Sequence, residues 1–299
     1  MRTGRRGGRA MIGELGIAPF VEFGFMRRAL VGCLALSLGA TPVGVFLMLR
    51  RMSLTGDAMA HAILPGAALG YLLWGLSLGA LTLGGLAAGL AVALLAGAVA
   101  RGGVLGEDAS LAAFYLISLA LGVLLISLKG SQVDLFHVLF GSVLALDNAT
   151  LILIAGITSL TLLALALLFR PLVAECVDPA FLRAVSRTSA PVHFVFLALV
   201  VLNLVAGFQA LGTLLAVGMA ILPAAAARFW VRDIGALLAL AVALAFLGST
   251  LGLLGSYHLG LAAGPAIVLA IGALYLASLL AAPRGLILAW LLSRRHLTG

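Results

Sequence analysis

The sequence predicts an all-α, polytopic transmembrane helix bundle. Three observations carry this. Of 299 residues, 64% are apolar and only 9% are charged, against about 25% charged in a soluble domain. The apolar residues gather into runs of about 20, the length that crosses the hydrocarbon of a bilayer. The charges sit between those runs: Lys129 is the only lysine among 18 basic residues, and the arginines flank the runs. No polar stretch is long enough to build a soluble domain, so residues 11–299 are expected to form one membrane domain.

In chain order, residues 1–10, MRTGRRGGRA, are rich in Arg and Gly and precede Met11. No apolar core follows at once, so they are not a signal peptide. They read as a disordered tail or as a misassigned start. Residues 13–24 read as a short interfacial helix. Spans are expected at 26–49, 57–75, 78–100, 109–128, 148–169, 191–209, 210–229, 234–254 and 262–282. Residues 133–147, VDLFHVLFGSVLALD, are too short and too polar-ended to span, and read as a re-entrant or interfacial helix. Eight or nine spans of about 20 residues are expected in all.

Arginine placement orients the chain. With the loop after the first span inside, Arg50, Arg51, Arg101, Arg170, Arg183, Arg187, Arg228, Arg232, Arg284, Arg294 and Arg295 all become cytoplasmic, and so does the C-terminus. Arg27 and Arg28 oppose this, which leaves the side of the N-terminus open. The net charge of +8 is thus an orientation signal at the ends of apolar runs, not a nucleic-acid surface. Cys33 and Cys176 lie far apart and make no disulfide framework.

Many of the 37 glycines recur with other small residues at helical spacing, as in Gly84, Gly85, Ala88 and Gly89. Such spacing lets helix backbones approach closely in lipid. One internal echo stands out: Ala62–Ala68 reads AILPGAA and Ala220–Ala226 reads AILPAAA, six of seven positions agreeing. Transporters are often built from two related halves. On this echo Asp57 and His61 correspond to Leu215 and Met219, so only the first half carries polar residues there.

The stretch Arg50–Ala68, RRMSLTGDAMAHAILPGAA, holds the candidate site. Asp57 and His61 are four residues apart and share one helix face. Ionisable groups in a membrane segment are costly and mark function. Carboxylate plus imidazole suits zinc, iron or manganese, and softness alone does not choose among them. Pro65 removes the helical bond to the carbonyl of His61, which would leave that oxygen for ion or water. The competing reading has Asp57 capping the helix and His61 packing. The other histidines are weaker candidates. His137 lies three residues from Asp134 in the short segment, His258 follows Tyr257 in an expected outer loop, His193 sits near a helix start and His296 in the basic tail.

Enzyme signatures are missing. Lys129 is followed by Gly130 and Ser131, so no phosphate loop exists. No His-Glu-x-x-His pair occurs either. The chain reads as a conduit, with no permanently bound cofactor. Its longest polar loop is Arg170–Ala190. There Asp178-Pro179 is a good helix start. Phe181, Leu182 and Val185 make an apolar face, and Arg183 and Arg187 a polar one. The helix could rest on lipid headgroups or dock a cytoplasmic partner.

RRMSLTGDAMAHAILPGAALGYLL resembles the signature of permease subunits of zinc, manganese and iron ABC importers: an Arg-rich turn, Gly-Asp-x-x-x-His and Pro-Gly. The likeness continues in order through residues 106–128, 133–147, 177–185, 211–230 and 263–280. It implies a type II ABC importer permease in the inner membrane, paired with a second permease copy. It also implies cytoplasmic ATPase subunits and an extracytoplasmic metal-binding protein. Asp57 and His61 then match the metal pair, and Asp178–Ser189 matches the coupling helix. Two departures stand out: Val185-Ser186 where the family often has Gly, and Ala226 in place of Thr. A permease for siderophore, haem or cobalamin would need a wide cavity and no ion-ligating pair. An autonomous secondary transporter would carry more ionisable groups within its spans.

Overall fold

A computed structural model describes residues 18–75, 77–101, 107–128, 146–178 and 189–285. Its helices are α1 (Ala18–Glu22), α2 (Gly24–Leu49), α3 (Ser53–Ala62), α4 (Leu64–Trp74), α5 (Leu78–Arg101) and α6 (Glu107–Leu128). They continue with α7 (Asn148–Val177), α8 (Ser189–Leu211), α9 (Thr213–Arg228), α10 (Ile234–Leu259) and α11 (Ala263–Ala281). Among the described residues six helices are long and apolar enough to cross a membrane, and Ala109–Leu125 and Thr213–Arg228 are shorter apolar helices. Each expected span overlaps one of these or the broken pair α3–α4. The all-α membrane bundle is therefore as the hydropathy predicts, because only helices satisfy every backbone group within a single apolar run.

Helix α2 is the axis. It packs against α7, α8, α9 and α10, and its residues from Gly39 to Leu47 are continuously buried. On one flank α3 and α4 pack on α5 and α6; on the other α9 packs on α10 and α11. Polar cross-links reinforce the centre. Thr41 Oγ1 donates to the Met219 carbonyl at 2.9 Å, Thr158 Oγ1 to the Ala35 carbonyl at 2.9 Å, and Asn203 Nδ2 to Thr161 Oγ1 at 2.8 Å. Outer faces of α5, α6 and α7 expose Leu94, Leu95, Leu121, Leu163 and Leu167, as a lipid-facing surface does.

Three helix ends differ from the sequence expectation. The span expected at 148–169 runs on to Val177, through Pro171. It continues because Leu172 and Glu175 are buried, so the first part of the expected polar loop has inward partners. The span expected at 234–254 runs to Leu259 and places His258 in its last turn rather than in a loop; Gly260, at φ 64°, closes it in the left-handed conformation glycine favours. The span expected at 57–75 starts at Ser53 and is broken at Ile63. Residues 1–10, the segment 133–145 with Asp134 and His137, Pro179–Arg187 and His296 lie outside the described residues.

The glycine cluster packs as its spacing suggests. Gly66 and Gly84 meet backbone to backbone, Gly85 and Gly89 lie against Ile63, and Gly70 lies against Ala80. These contacts seat α4 on α5 and fix the break in the second span. Gly122 of α6 completes the seat by packing on the Pro65 ring and backbone.

Candidate functional site

Helix α3 has only ten residues and carries both candidate ligands. Its start is set by a tight turn after α2. Met52 N–H donates to the Leu47 carbonyl at 2.8 Å and Arg51 N–H to the Met48 carbonyl at 3.1 Å. These are the paired bonds of a Schellman motif, which needs a left-handed residue at the position Arg51 holds. Arg51 indeed has φ 60°. The following Met52 is buried in the main apolar cluster with Val43, Phe46 and Leu47. One turn into α3 come Asp57 and His61.

Their side chains face each other, His61 Nε2 lying 3.9 Å from Asp57 Oδ1, with 30% and 64% of each side chain exposed. Two ligand bonds of about 2.1 Å span at most about 4.2 Å, so the gap is already within reach of one bridging ion. Helical i,i+4 spacing brings the pair together, and the reading of Asp57 as an N-terminal cap does not hold. Asp57 lies within α3, whose cap position is Met52, and no side-chain cap bond is made there.

The pair opens on two clefts. A cleft of about 310 Å³ is lined by Asp57, Ala60 and His61 with Thr213, Val217 and Gly218 of α9. The other, of about 230 Å³, lies between α3 and α6, against Asp57, Thr55, Leu111 and Tyr115. The ring of Tyr115 stands 6.3 Å from that of His61, tilted by 32°. His61 Nδ1 is buried with no hydrogen-bond partner among the described residues. Nε2 is thus the nitrogen aimed at Asp57. No third His, Cys, Asp or Glu joins them among the described residues.

Pro65 has no N–H to offer the His61 carbonyl. Ile63 closes α3 two residues beyond His61, and the neighbouring Ala62 carbonyl accepts from Ser118 Oγ at 3.1 Å. Pro65 sits at the start of α4, where its missing N–H costs nothing. The internal echo diverges here. Ala220–Ala226 lies inside the unbroken α9, and Leu215 and Met219, the counterparts of Asp57 and His61, are fully packed apolar residues. The half without the polar pair instead supplies a wall of its cleft.

Of the other candidates, His258 is exposed and rests edge-on against Tyr257, centroids 5.2 Å apart. Asp178 closes α7, its N–H donating to the Ala174 carbonyl at 3.0 Å, in the extended conformation that a helix N-cap also takes; the helix expected to follow it lies outside the described residues. His193 is different. It is 5% exposed and bonded to Arg50, an arrangement that its place near a helix start did not signal. Tyr115 and Thr213 were also not legible, since they reach the clefts only through packing of α6 and α9. Outside the spans, Asp147 caps α7 by accepting from the Thr150 N–H at 2.8 Å. Bonds from the Thr150 side chain and N–H hold its carboxyl below the usual carboxylate range.

Known proteins resemble this chain along most of its length. The sequence profile of the ABC 3 transport family matches residues 22–282. The manganese import system permease protein ScaB of Streptococcus parasanguinis is 35% identical over 263 residues, covering 88% of this chain and 92% of that one. The manganese transport system membrane protein MntC of Listeria innocua is 31% identical over 264 residues, covering 88% and 93%. Among solved structures, PsaBC from Streptococcus pneumoniae in complex with Fab superposes with a TM-score of 0.80 at 32% identity, covering 91% of this chain and 97% of that chain.

Proposed function

The chain belongs to the ABC 3 transport family, and from that premise we propose that it is the membrane permease subunit of an ATP-driven importer for a divalent transition-metal ion. Manganese is the leading substrate, supported by the similarity to manganese permeases. Zinc and iron are accepted by the same donor types. The observation that carries the reading is the Asp57–His61 pair, 3.9 Å apart on a short broken helix beside a cleft.

In this reading the ion meets Asp57 first, because its carboxylate is the more exposed, and is then bridged to His61 Nε2. Two protein ligands leave most of the coordination sphere to water or to a second permease copy facing the cleft. That incompleteness suits transit, since a conducted ion must bind well enough to enter and weakly enough to leave. Tyr115 and Thr213 offer hydroxyls on the walls. ATP hydrolysis falls to separate cytoplasmic ATPase subunits that dock on residues 178–189, with Asp178, Pro179, Phe181, Arg183 and Arg187 as the contact set. An extracytoplasmic metal-binding protein delivers the ion. The permease is a homodimer in the bacterial cytoplasmic membrane with its C-terminus inside.

The test is uptake in proteoliposomes holding the permease, its ATPase and the loaded binding protein, with manganese and zinc compared. Asp57→Ala and His61→Ala are each expected to abolish uptake while the complex still assembles. Normal uptake by both variants would refute the site.

A further inference from the structure

Where α2 ends, α7 ends and α8 begins, three ionisable side chains are buried together. The side chains of Arg50 and Glu175 are 8% and 5% exposed, and His193 is 5% exposed. Arg50 Nη2 donates to Glu175 Oε1 at 3.3 Å and to His193 Nδ1 at 2.6 Å. The guanidinium lies over the Phe196 ring, Cζ 4.9 Å from its centroid. A guanidinium has donors and no acceptor, so His193 must accept through Nδ1. Its imidazole is neutral, with the proton on Nε2. Burying such groups is costly unless they bond one another, and removal of one partner strands the rest.

The placement of the three suggests their use. Glu175 is two residues before the end of α7, and His193 is in the first turns of α8. Between them run residues 178–188, the stretch assigned above to the ATPase. Arg50 closes α2, and only Arg51 and Met52 separate it from α3, which carries Asp57 and His61. The intervening turn is held by two backbone bonds, with Arg51 left-handed and Met52 buried. It has no slack to absorb a shift of Arg50.

We propose that Arg50, Glu175 and His193 are positioning residues that tie both ends of the ATPase-docking stretch to the metal-bearing helix. The proposal rests on the reading of residues 178–189 as the docking element. A shift of the α7 end or the α8 start pulls on the guanidinium through a charge-assisted bond. The guanidinium then carries the shift through the rigid turn to the start of α3, and so to both ligands together. The metal pair itself needs none of the three residues, since no side chain of the cluster reaches either cleft.

The histidine allows a test in which a polar side chain is kept and only the position of its acceptor is chosen. His193→Asn keeps an acceptor near the position of Nδ1, whereas His193→Gln moves it toward that of Nε2. The complete complex, with ATPase and loaded binding protein, is reconstituted in proteoliposomes. Metal imported and ATP hydrolysed are measured together, and metal affinity is measured on the purified permease. His193→Asn is expected to stay within about twofold of wild type, whereas His193→Gln and Glu175→Gln import about tenfold less metal per ATP, as loss of one charge-assisted bond implies. Metal affinity stays unchanged in all three. Wild-type import per ATP in His193→Gln would overturn the proposal. So would a parallel loss of hydrolysis, import and thermal stability in both histidine variants, which marks a purely structural cluster. A wild-type complex that imports no metal would instead overturn the transport reading itself.

Discussion

Gly66→Ala puts the seat of the broken helix to the test. A Cβ on Gly66 would fall on the Gly84 carbonyl and lie 2.6 Å from the Ala88 Cβ. Non-bonded carbons rest about 3.5–4.0 Å apart, so the Ala88 contact alone is short by about 1 Å. The Gly84 carbonyl is backbone inside α5 and cannot rotate away. Helix α5 must therefore retreat from α4, loosening Gly70 against Ala80 and Gly85 against Ile63 as well. Overpacking of this sort costs about 3 kcal/mol when the partner is rigid, and replacing a helical Gly by Ala returns about 1 kcal/mol. The net loss is about 2 kcal/mol, or a fall in Tm of about 5 °C for a domain of this general size. Thermal unfolding of the detergent-purified permease measures it. Gly79→Ala, in α5 with nothing within 4 Å of its Cβ, is the control and should match or exceed wild-type stability. Equal melting of Gly66→Ala and wild type, or equal damage from both variants, would refute the close-approach argument.

Other outcomes follow from single contacts. Arg51→Gly is expected to stabilise the permease by about 1 kcal/mol, read as a higher Tm, because the residue holds φ 60° without a glycine. Asp147→Ala should lower the melting temperature at neutral pH and not in acid. The carboxyl is held below its usual range in the fold, so its contribution is present above the unfolded value and disappears as pH falls through the folded one. Melts of both proteins across that window check the sign. Thr161→Val removes the acceptor of Asn203 between α7 and α8 at nearly constant volume. A loss of about 0.6 kcal/mol, the typical worth of such a bond in a membrane bundle, is expected in a denaturant titration.

How far the sequence could be read depends on which interactions are local. Helix positions were legible because a run of about 20 apolar residues has one way to satisfy its backbone in lipid. The Asp57–His61 pair was legible for a similar reason, since i,i+4 spacing alone puts both side chains on one face. Helix ends were less so. Arg170 and Pro171 look like a terminator, and only the burial of Leu172 and the bond from Arg50 to Glu175 explain why α7 continues. Pro65 signalled a lost helical bond but not the break at Ile63, which depends on the packing of Gly66 on Gly84 and of Gly122 on Pro65. His193 carried no local signal at all. Its partner lies 143 residues away, and one imidazole near a helix start looks the same whether it meets solvent or a guanidinium.

The burial of Arg50 gives that residue two roles separated in time. While the ribosome has delivered only α2 and α3, neither Glu175 nor His193 yet exists in the membrane. Arg50 is then an uncompensated cation beside Arg51 at the end of an apolar run, where basic residues act as orientation signals. When α7 and α8 arrive, the same guanidinium is drawn inward and paired, and Arg51, still exposed, is left as the surface charge of that loop. A substitution at position 50 therefore acts twice during biogenesis, first on the sidedness of a hairpin and later on the joining of helices made long afterwards.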